Sequence, residues 1–331
     1  METRRPLLCM IWILMTMTMS MSSSAAENYP VRTVTVISPF APGSAGDNFA
    51  RTISDSLAKE IGKPVVVESK LGAAGSVATA AGARAKPDGY TLLFASKGTL
   101  VVNPLLYSDT GYDSEKDFDM IALLGGLSNM LVVRSDSPFT SVQDVVNAVK
   151  RGPAEKYSYS SSGSGSSIHM AGVVFGQQVG TMMMHVPYKG ATAGLTALLG
   201  GYVDMGFYSI PIVEAQVRAG LLKPLGVTSK TRSVIFPNVP TIAESGLAGY
   251  DETTWLGFVA PKGTPSEIIQ YLHGKMQAIV QTPEVREKLI KQGYDIDPYL
   301  PVISPASFSR LLRDDLAKWP AIIKASGAQV N

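Results

Sequence analysis

The chain has 331 residues, 45% of them hydrophobic and 17% charged, with 29 basic against 27 acidic side chains. That balance excludes a disordered chain and a nucleic-acid binder that works by net charge, and the length supports one large or two medium domains with sizeable cores. The single cysteine, Cys9, lies inside an N-terminal leader, so the mature chain has no disulfide and no thiol chemistry.

In chain order, Arg4 and Arg5 precede an apolar run over residues 7–19, followed by Ser24-Ala25-Ala26. This is the pattern of a secretory signal peptide, cut near Ala26; the run is too short, and too diluted by Thr and Ser, to span a membrane. Without Arg4, Arg5 and Glu2 the charges fall to 27 basic and 26 acidic. No later segment reads as a transmembrane helix. The expectation is an exported, soluble, nearly neutral protein of the periplasm.

Residues 31–38 form a β-branched run that predicts a strand. From Asp47 the residues Phe49, Ile53, Leu57 and Ile61 recur every four positions, as one helix face requires, and Gly62 and Pro64 supply the stop. Residues 65–67 predict a strand, 75–85 an Ala-rich helix, 87–89 a turn and 90–95 another strand. A second series begins near Met130, with strands at 131–133, 157–160, 184–186 and 203–207. Helices are predicted at 141–150 and from a Ser/Gly run to about residue 179. The tail predicts helices at 265–280, 283–292 and 305–324. Strands alternating with helices imply an α/β fold with largely parallel sheets. One economical layout has a first lobe from the N-terminal series plus the tail and a second lobe inserted between them, with crossings near Gly125-Gly126 and Thr254-Trp255.

Chemistry is sparse. His169, His185 and His273 are far apart, without cysteines or a tight acidic cluster, which argues against a metal site. The segment from Gly163 to Ser167 does not match G-x-S-x-G, and spacing nominates no base for Ser164 or Ser166, so a secreted serine hydrolase is the least favoured reading. There is no G-x-G-x-x-G and no Walker loop, and no cofactor is expected. What remains is a pair of Gly/Ser loops that open helices, residues 42–47 and 161–167. Helix N-termini present unpaired N–H donors and partial positive charge, and small residues let an anion approach them. The alternative is that Asp47 and Ser166 merely cap their own helices.

The fragments YPVRTVTVISPFAPGSAGD, GKPVVVESKLGAAGSVA, KPDGYTLLFASKGTLVVNP, YSSSGSGSSIHM, HVPYKGATAGLTALLGGYVDMGF and FPNVPTIAESGLAGY occur in this order. Together they resemble the Bug-type (TctC-like) solute receptors, the extracytoplasmic binding proteins of tripartite tricarboxylate transporters, over essentially the whole mature chain. The resemblance implies a two-lobed periplasmic binding protein of type II, each lobe a mainly parallel sheet flanked by helices, closing on a ligand by hinge motion. It implies residues 1–26 as signal peptide, 27–126 with 254–331 as lobe 1, and 127–253 as the inserted lobe 2. The implied ligand is a small organic carboxylate, di-, tri- or aromatic, held by amides and hydroxyls of both lobes and passed by a monomeric receptor to transmembrane permease subunits. A membrane sensor is the alternative partner, and nucleic acid is not one. No bond changes, so no enzyme is implied.

By matching motif, the implied ligand residues in the first lobe are Pro42, Gly43, Ser44, Ala45, Gly46, Asp47, Ser96, Lys97 and Thr99. Those in the second are Ser162, Ser164, Gly165, Ser166, Ser167, His169, Tyr188, Ala191 and Tyr208. Two departures stand out. Tyr208 and Ser209 follow VDMGF where many members carry an acidic residue, which removes a partner for a ligand amine. SKGTLVVNP replaces the SSGTHAINP type of pattern and introduces Lys97, a candidate partner for a second ligand carboxylate.

Overall fold

The structure is a computed structural model, which describes residues 29–299 and 303–326. The predicted signal peptide lies outside the described residues. Strand β1 (Val34–Ser38) leads through the loop at 39–44 into α1 (Ala45–Ile61). Ser44 Oγ caps that helix by accepting from the Asp47 amide, and Gly62, at φ 65°, ends it. Phe49, Ile53 and Leu57 are fully buried, so the four-residue spacing marks the face that meets the sheet. Then follow β2 (Val65–Ser69), α2 (Ser76–Ala83) and β3 (Thr91–Ser96). A π-helical turn over 98–102 continues into the short α3 (Asn103–Leu106).

Next comes β4 (Phe118–Arg134), 17 residues long and shared by two sheets. Its first part pairs antiparallel with β9 (Thr253–Pro261), Met120 opposite Val259 and Gly126 opposite Trp255. Its second part pairs antiparallel with β7 (Met205–Ser209), Met130 opposite Tyr208. The first sheet has the order β2–β1–β3–β9–β4, with β2, β1 and β3 parallel. The second contains β4, β7, β5 (Ser158–Ser161) and β6 (Met184–Pro187), with β8 (Leu222–Val227) also paired to β4. Parallel pairs form the βαβ units, and the antiparallel pairs come from the strands that carry the chain between the sheets.

In the second series α4 (Val142–Arg151), α5 (Ser167–Val179), α6 (Ala191–Leu199) and α7 (Ile210–Arg218) alternate with strands. The tail supplies α8 (Ser266–Gln281), α9 (Pro283–Lys291) and α10 (Pro305–Ser326). Helices α8 and α9 pack on α1, and α10 lies against β4, the π turn and α5. The tail therefore returns to the first sheet, while its last helix reaches the second: Gln177 Nε2 donates to the Ile322 carbonyl (3.2 Å). One apolar core joins Val34, Phe49, Ile53, Phe258, Leu272 and Met276, and a second runs from the other face of the first sheet into the second.

Candidate ligand-binding site

At the end of β5 the chain turns through residues 162–166 into α5, and the turn is fixed by its own hydrogen bonds. The Gly163 amide donates to Ser161 Oγ (3.1 Å). The Gly163 carbonyl accepts from the Ser166 amide (3.2 Å) and from Ser166 Oγ (2.7 Å). Ser166 Oγ also accepts from the His169 amide (3.2 Å), and the Gly165 amide donates to His169 Nδ1 (3.0 Å). Gly163 and Gly165 stand at φ 122° and 79°, conformations that a side chain disfavours. The amides of Ser164, Ser167 and Ile168 carry no hydrogen bond to the described residues. They sit at the positive end of a 13-residue helix, which makes them donors for an anion.

Facing them is the end of β3. The Ser96 amide donates to Thr99 Oγ1 (3.1 Å), and the Thr99 amide donates to Ser96 Oγ (3.3 Å). Asn103 Nδ2 donates to the Ala74 carbonyl (2.9 Å) and so fixes the loop before α2. In that loop Ala73 and Ala74 have φ 44° and 51°, left-handed backbone that costs an L-residue about 1–2 kcal/mol each. Such strain concentrates where backbone is held for a purpose. Between the two walls lies a cavity of about 330 Å3. Phe40, Ala74, Ser96, Lys97, Thr99 and Asn103 line one side; Ser162, Ser164, Gly165, Ser166, Ser167 and Met170 line the other, with Glu252 just before β9 and Thr254 within it.

Eight of the implied site residues thus meet at one cavity: Ser96, Lys97, Thr99, Ser162, Ser164, Gly165, Ser166 and Ser167. The others stand elsewhere. The loop at 42–47 does not line the cavity, because the N-terminus of α1 is already occupied by its own carboxylate. Asp47 Oδ2 accepts from the Gly43 amide (2.8 Å) and from Arg51 Nε (2.8 Å), and Asp47 Oδ1 from Ser69 Oγ (3.5 Å). Burial works to raise this carboxyl, but Arg51 and the Gly43 amide outweigh it and hold it below its ordinary range. What the β1–α1 connection contributes is Phe40, whose ring packs so closely on Gly46 that a Cβ there would lie 2.4 Å from it. His169 lies behind its loop rather than on the cavity. Tyr188 lies in the connection between β6 and α6 and Ala191 opens α6, both outside the lining. Tyr208 is fully buried with its hydroxyl 2.5 Å from Ser160 Oγ, and burial pushes that hydroxyl up to about 12.

Lys97 is the largest surprise. Its Nζ lies 2.9 Å from Glu252 Oε2 and 5.0 Å from the centroid of the Trp319 ring, and both charged side chains are buried. Burial pushes the Glu252 carboxyl up against the opposing pull of Lys97. Lining residues that sequence reasoning missed include Phe40, Ala74, Met170, Glu252 and Thr254. The glycines at 72 and 75 flanking Ala73-Ala74 were a usable signal for one of them. Nothing local marked Glu252.

Two mixed α/β sheets joined by crossing strands are the architecture of a periplasmic binding protein. The chain belongs to the tripartite tricarboxylate transporter receptor family, whose profile matches residues 49–328. It is 31% identical to BugT of Bordetella pertussis, over 98% of either chain. It is 34% identical to the UPF0065 protein in the tcbD-tcbE intergenic region of a Pseudomonas species, over 97% of this chain and 94% of that one. Among solved structures, a Rhodopseudomonas palustris protein with adipate superposes with a TM-score of 0.78 at 31% identity, covering 91% of this chain and all of the other. MatC of the same organism, with bound malate, gives 0.74 at 30% identity, covering 89% of this chain and all of the other. The protein is a periplasmic solute receptor, not an enzyme.

Proposed function

We propose that the receptor captures a small organic carboxylate in the cleft between the β3 and β5 loops and delivers it to the permease subunits of a tripartite tricarboxylate transporter. The lobes are then residues 27–126 with 254–331, and 127–253, hinged where β4 and β9 cross; the pairing of Leu127 with Thr254 supports that division. The observation that carries the reading is the set of unbonded amides of Ser164, Ser167 and Ile168 at the α5 terminus. Beside them stands a lysine already neutralised by Glu252. A carboxylate is therefore held by amides and hydroxyls rather than by a free cation. The cavity, about 330 Å3, lies within the ordinary range for small-molecule sites. Adipate and malate, found with two relatives, support a dicarboxylate.

Ligand-dependent thermal stabilisation of the mature chain, unfolded and refolded beforehand to strip carried-over ligand, tests this. A panel of mono-, di-, tri- and aromatic carboxylates, each with its amide analogue, should give a rise of several degrees for one acid and none for its amide. No rise across the panel refutes carboxylate capture.

Gly165→Val should weaken binding of that acid by at least about tenfold, because a side chain at φ 79° is strained. Its Cβ would also lie 2.4 Å from Leu106 Cδ1 on the opposite wall. By contrast Ser44→Ala, which removes the α1 cap, should cost about 1 kcal/mol of stability and spare affinity. Calorimetric titration alongside urea melts separates the two effects; equal affinity loss in both variants would return the 42–47 loop to the site.

A further inference from the structure

We propose that the stacked imidazoles of His169 and His185 are a positioning clasp for the ligand-binding loop, one that works only while both rings are neutral. The ring centroids lie 3.7 Å apart with planes 17° from parallel. Each ring ties a different end of the loop. His169 Nδ1 accepts the Gly165 amide (3.0 Å). His185 Nε2 lies 2.6 Å from Ser161 Oγ, the same hydroxyl that accepts the Gly163 amide. Two glycines at positive φ, and the unbonded Ser164 amide between them, are thereby held between two side chains that lean on each other.

The surroundings keep the pair uncharged. Tyr159 packs its ring against both imidazoles, at 6.3 Å and 5.2 Å, and its hydroxyl donates to the His169 carbonyl (3.3 Å). Ser161 and Gly165 make the polar contacts to the rings, Ser166 Oγ accepts from the His169 backbone amide, and among the described residues no carboxylate or ammonium hydrogen-bonds to either ring. Burial first, then the charge of the neighbouring ring, holds His169 down to about 3; burial holds His185 at about 4. The acceptor role fixes the tautomer: with Nδ1 receiving the Gly165 proton, the His169 proton sits on Nε2. A second proton on His169 would set Nδ1–H against the Gly165 N–H, and charging His185 as well would place two cations face to face. A solvated histidine beside an anion site adds attraction as the pH falls through 6. This pair adds none there, and on charging it would release the loop.

The idea that ligand affinity follows from the clasp rests on the carboxylate reading above; the clasp itself does not, and the test keeps them apart. Nitrogen NMR of histidine-labelled protein should show His169 in the Nε2–H tautomer from pH 8 to pH 5. Two variants follow. His169→Asn keeps an acceptor near the Nδ1 position, whereas His169→Leu fills the volume without one. Exchange of the Gly165 amide should be at least tenfold faster in the leucine variant than in the asparagine variant. Affinity for adipate, measured at pH 7.5 on variants whose folding is checked by circular dichroism, should fall in the same order. If the ring only fills space, leucine retains both properties better than asparagine, and that order, or an Nδ1–H tautomer, overturns the proposal. If adipate fails to bind the unaltered protein, the ligand choice is at fault, and tautomer and exchange still decide.

Discussion

Glu252→Ala should cost about 3–5 kcal/mol of unfolding free energy, because it strands a buried ammonium. Lys97 and Glu252 are 155 residues apart in sequence, yet their side chains are only 7% and 3% exposed and meet at 2.9 Å. With the carboxylate removed, Lys97 Nζ retains the face of Trp319 at 5.0 Å, and a cation–π contact recovers about 0.5–2 kcal/mol. Lys97→Met should be comparably destabilising, since it leaves the Glu252 carboxylate without its partner. The double variant Lys97→Met/Glu252→Leu should recover most of the loss, as apolar replacements of a whole buried pair are commonly neutral. Urea melts of the four proteins make a double-mutant cycle. Losses below about 1 kcal/mol in both single variants, the range of solvated pairs, would mean that water reaches the pair. Lys97 would then be free to meet a second ligand carboxylate, as its position in the motif first suggested.

The pair also shows where sequence reasoning stops. The loop at 162–167 was legible because its chemistry is local: glycines at positive φ, a serine cap and an amphipathic helix follow one another within a dozen residues. Lys97 carries no such signal, because its partner is fixed by the fold. The strand pattern fails for a related reason at β4. Gly125-Gly126 reads as a crossing between lobes, and the strand pattern marks only 131–133 where the structure has a strand over 118–134. Both glycines are instead close-approach positions. A Cβ on Gly125 would lie 2.9 Å from Ile296 Cδ1, and one on Gly126 would lie 2.6 Å from the Tyr299 hydroxyl. Bulges between Met120 and Ala122 and between Leu123 and Gly125 let one strand bend from sheet to sheet without ending. Strand β9 was hidden because its apolar run, TTWLGFVAP, is buried on both faces and has no alternation to read. The 42–47 loop misleads in the opposite sense. Its Gly/Ser composition matches an anion cradle, but Asp47 supplies the anion from within the chain.

Acidification from pH 7 to pH 5 should lower the unfolding free energy by roughly 2–3 kcal/mol, the balance of terms worth about 1.4 kcal/mol per pH unit each. Burial, with the neighbouring ring for His169, holds His169 and His185 down to about 3 and about 4 in the folded state, against about 6.5 in an unfolded chain. Between those limits the unfolded state binds more protons, so the stability that neutral burial permits is complete above pH 6.5 and is lost as the pH falls. At pH 5 each ring accounts for about 2 kcal/mol of loss, from 1.5 units below the unfolded value. Asp295 acts against them. Burial raises its carboxyl to about 6, so below that pH the folded state takes up the extra proton and regains about 1.4 kcal/mol by pH 5. Glu252, also raised, acts in the same direction as Asp295. Urea melts at pH 7, 6 and 5 give the slope directly. His185→Gln, which removes one of the two rings, should flatten it by about 2 kcal/mol over that range, and Asp295→Asn should steepen it. A stability that stays level from pH 7 to pH 5 in the unaltered protein, and does not respond to His185→Gln, would mean that both imidazoles charge in the folded state and that burial does not hold them down.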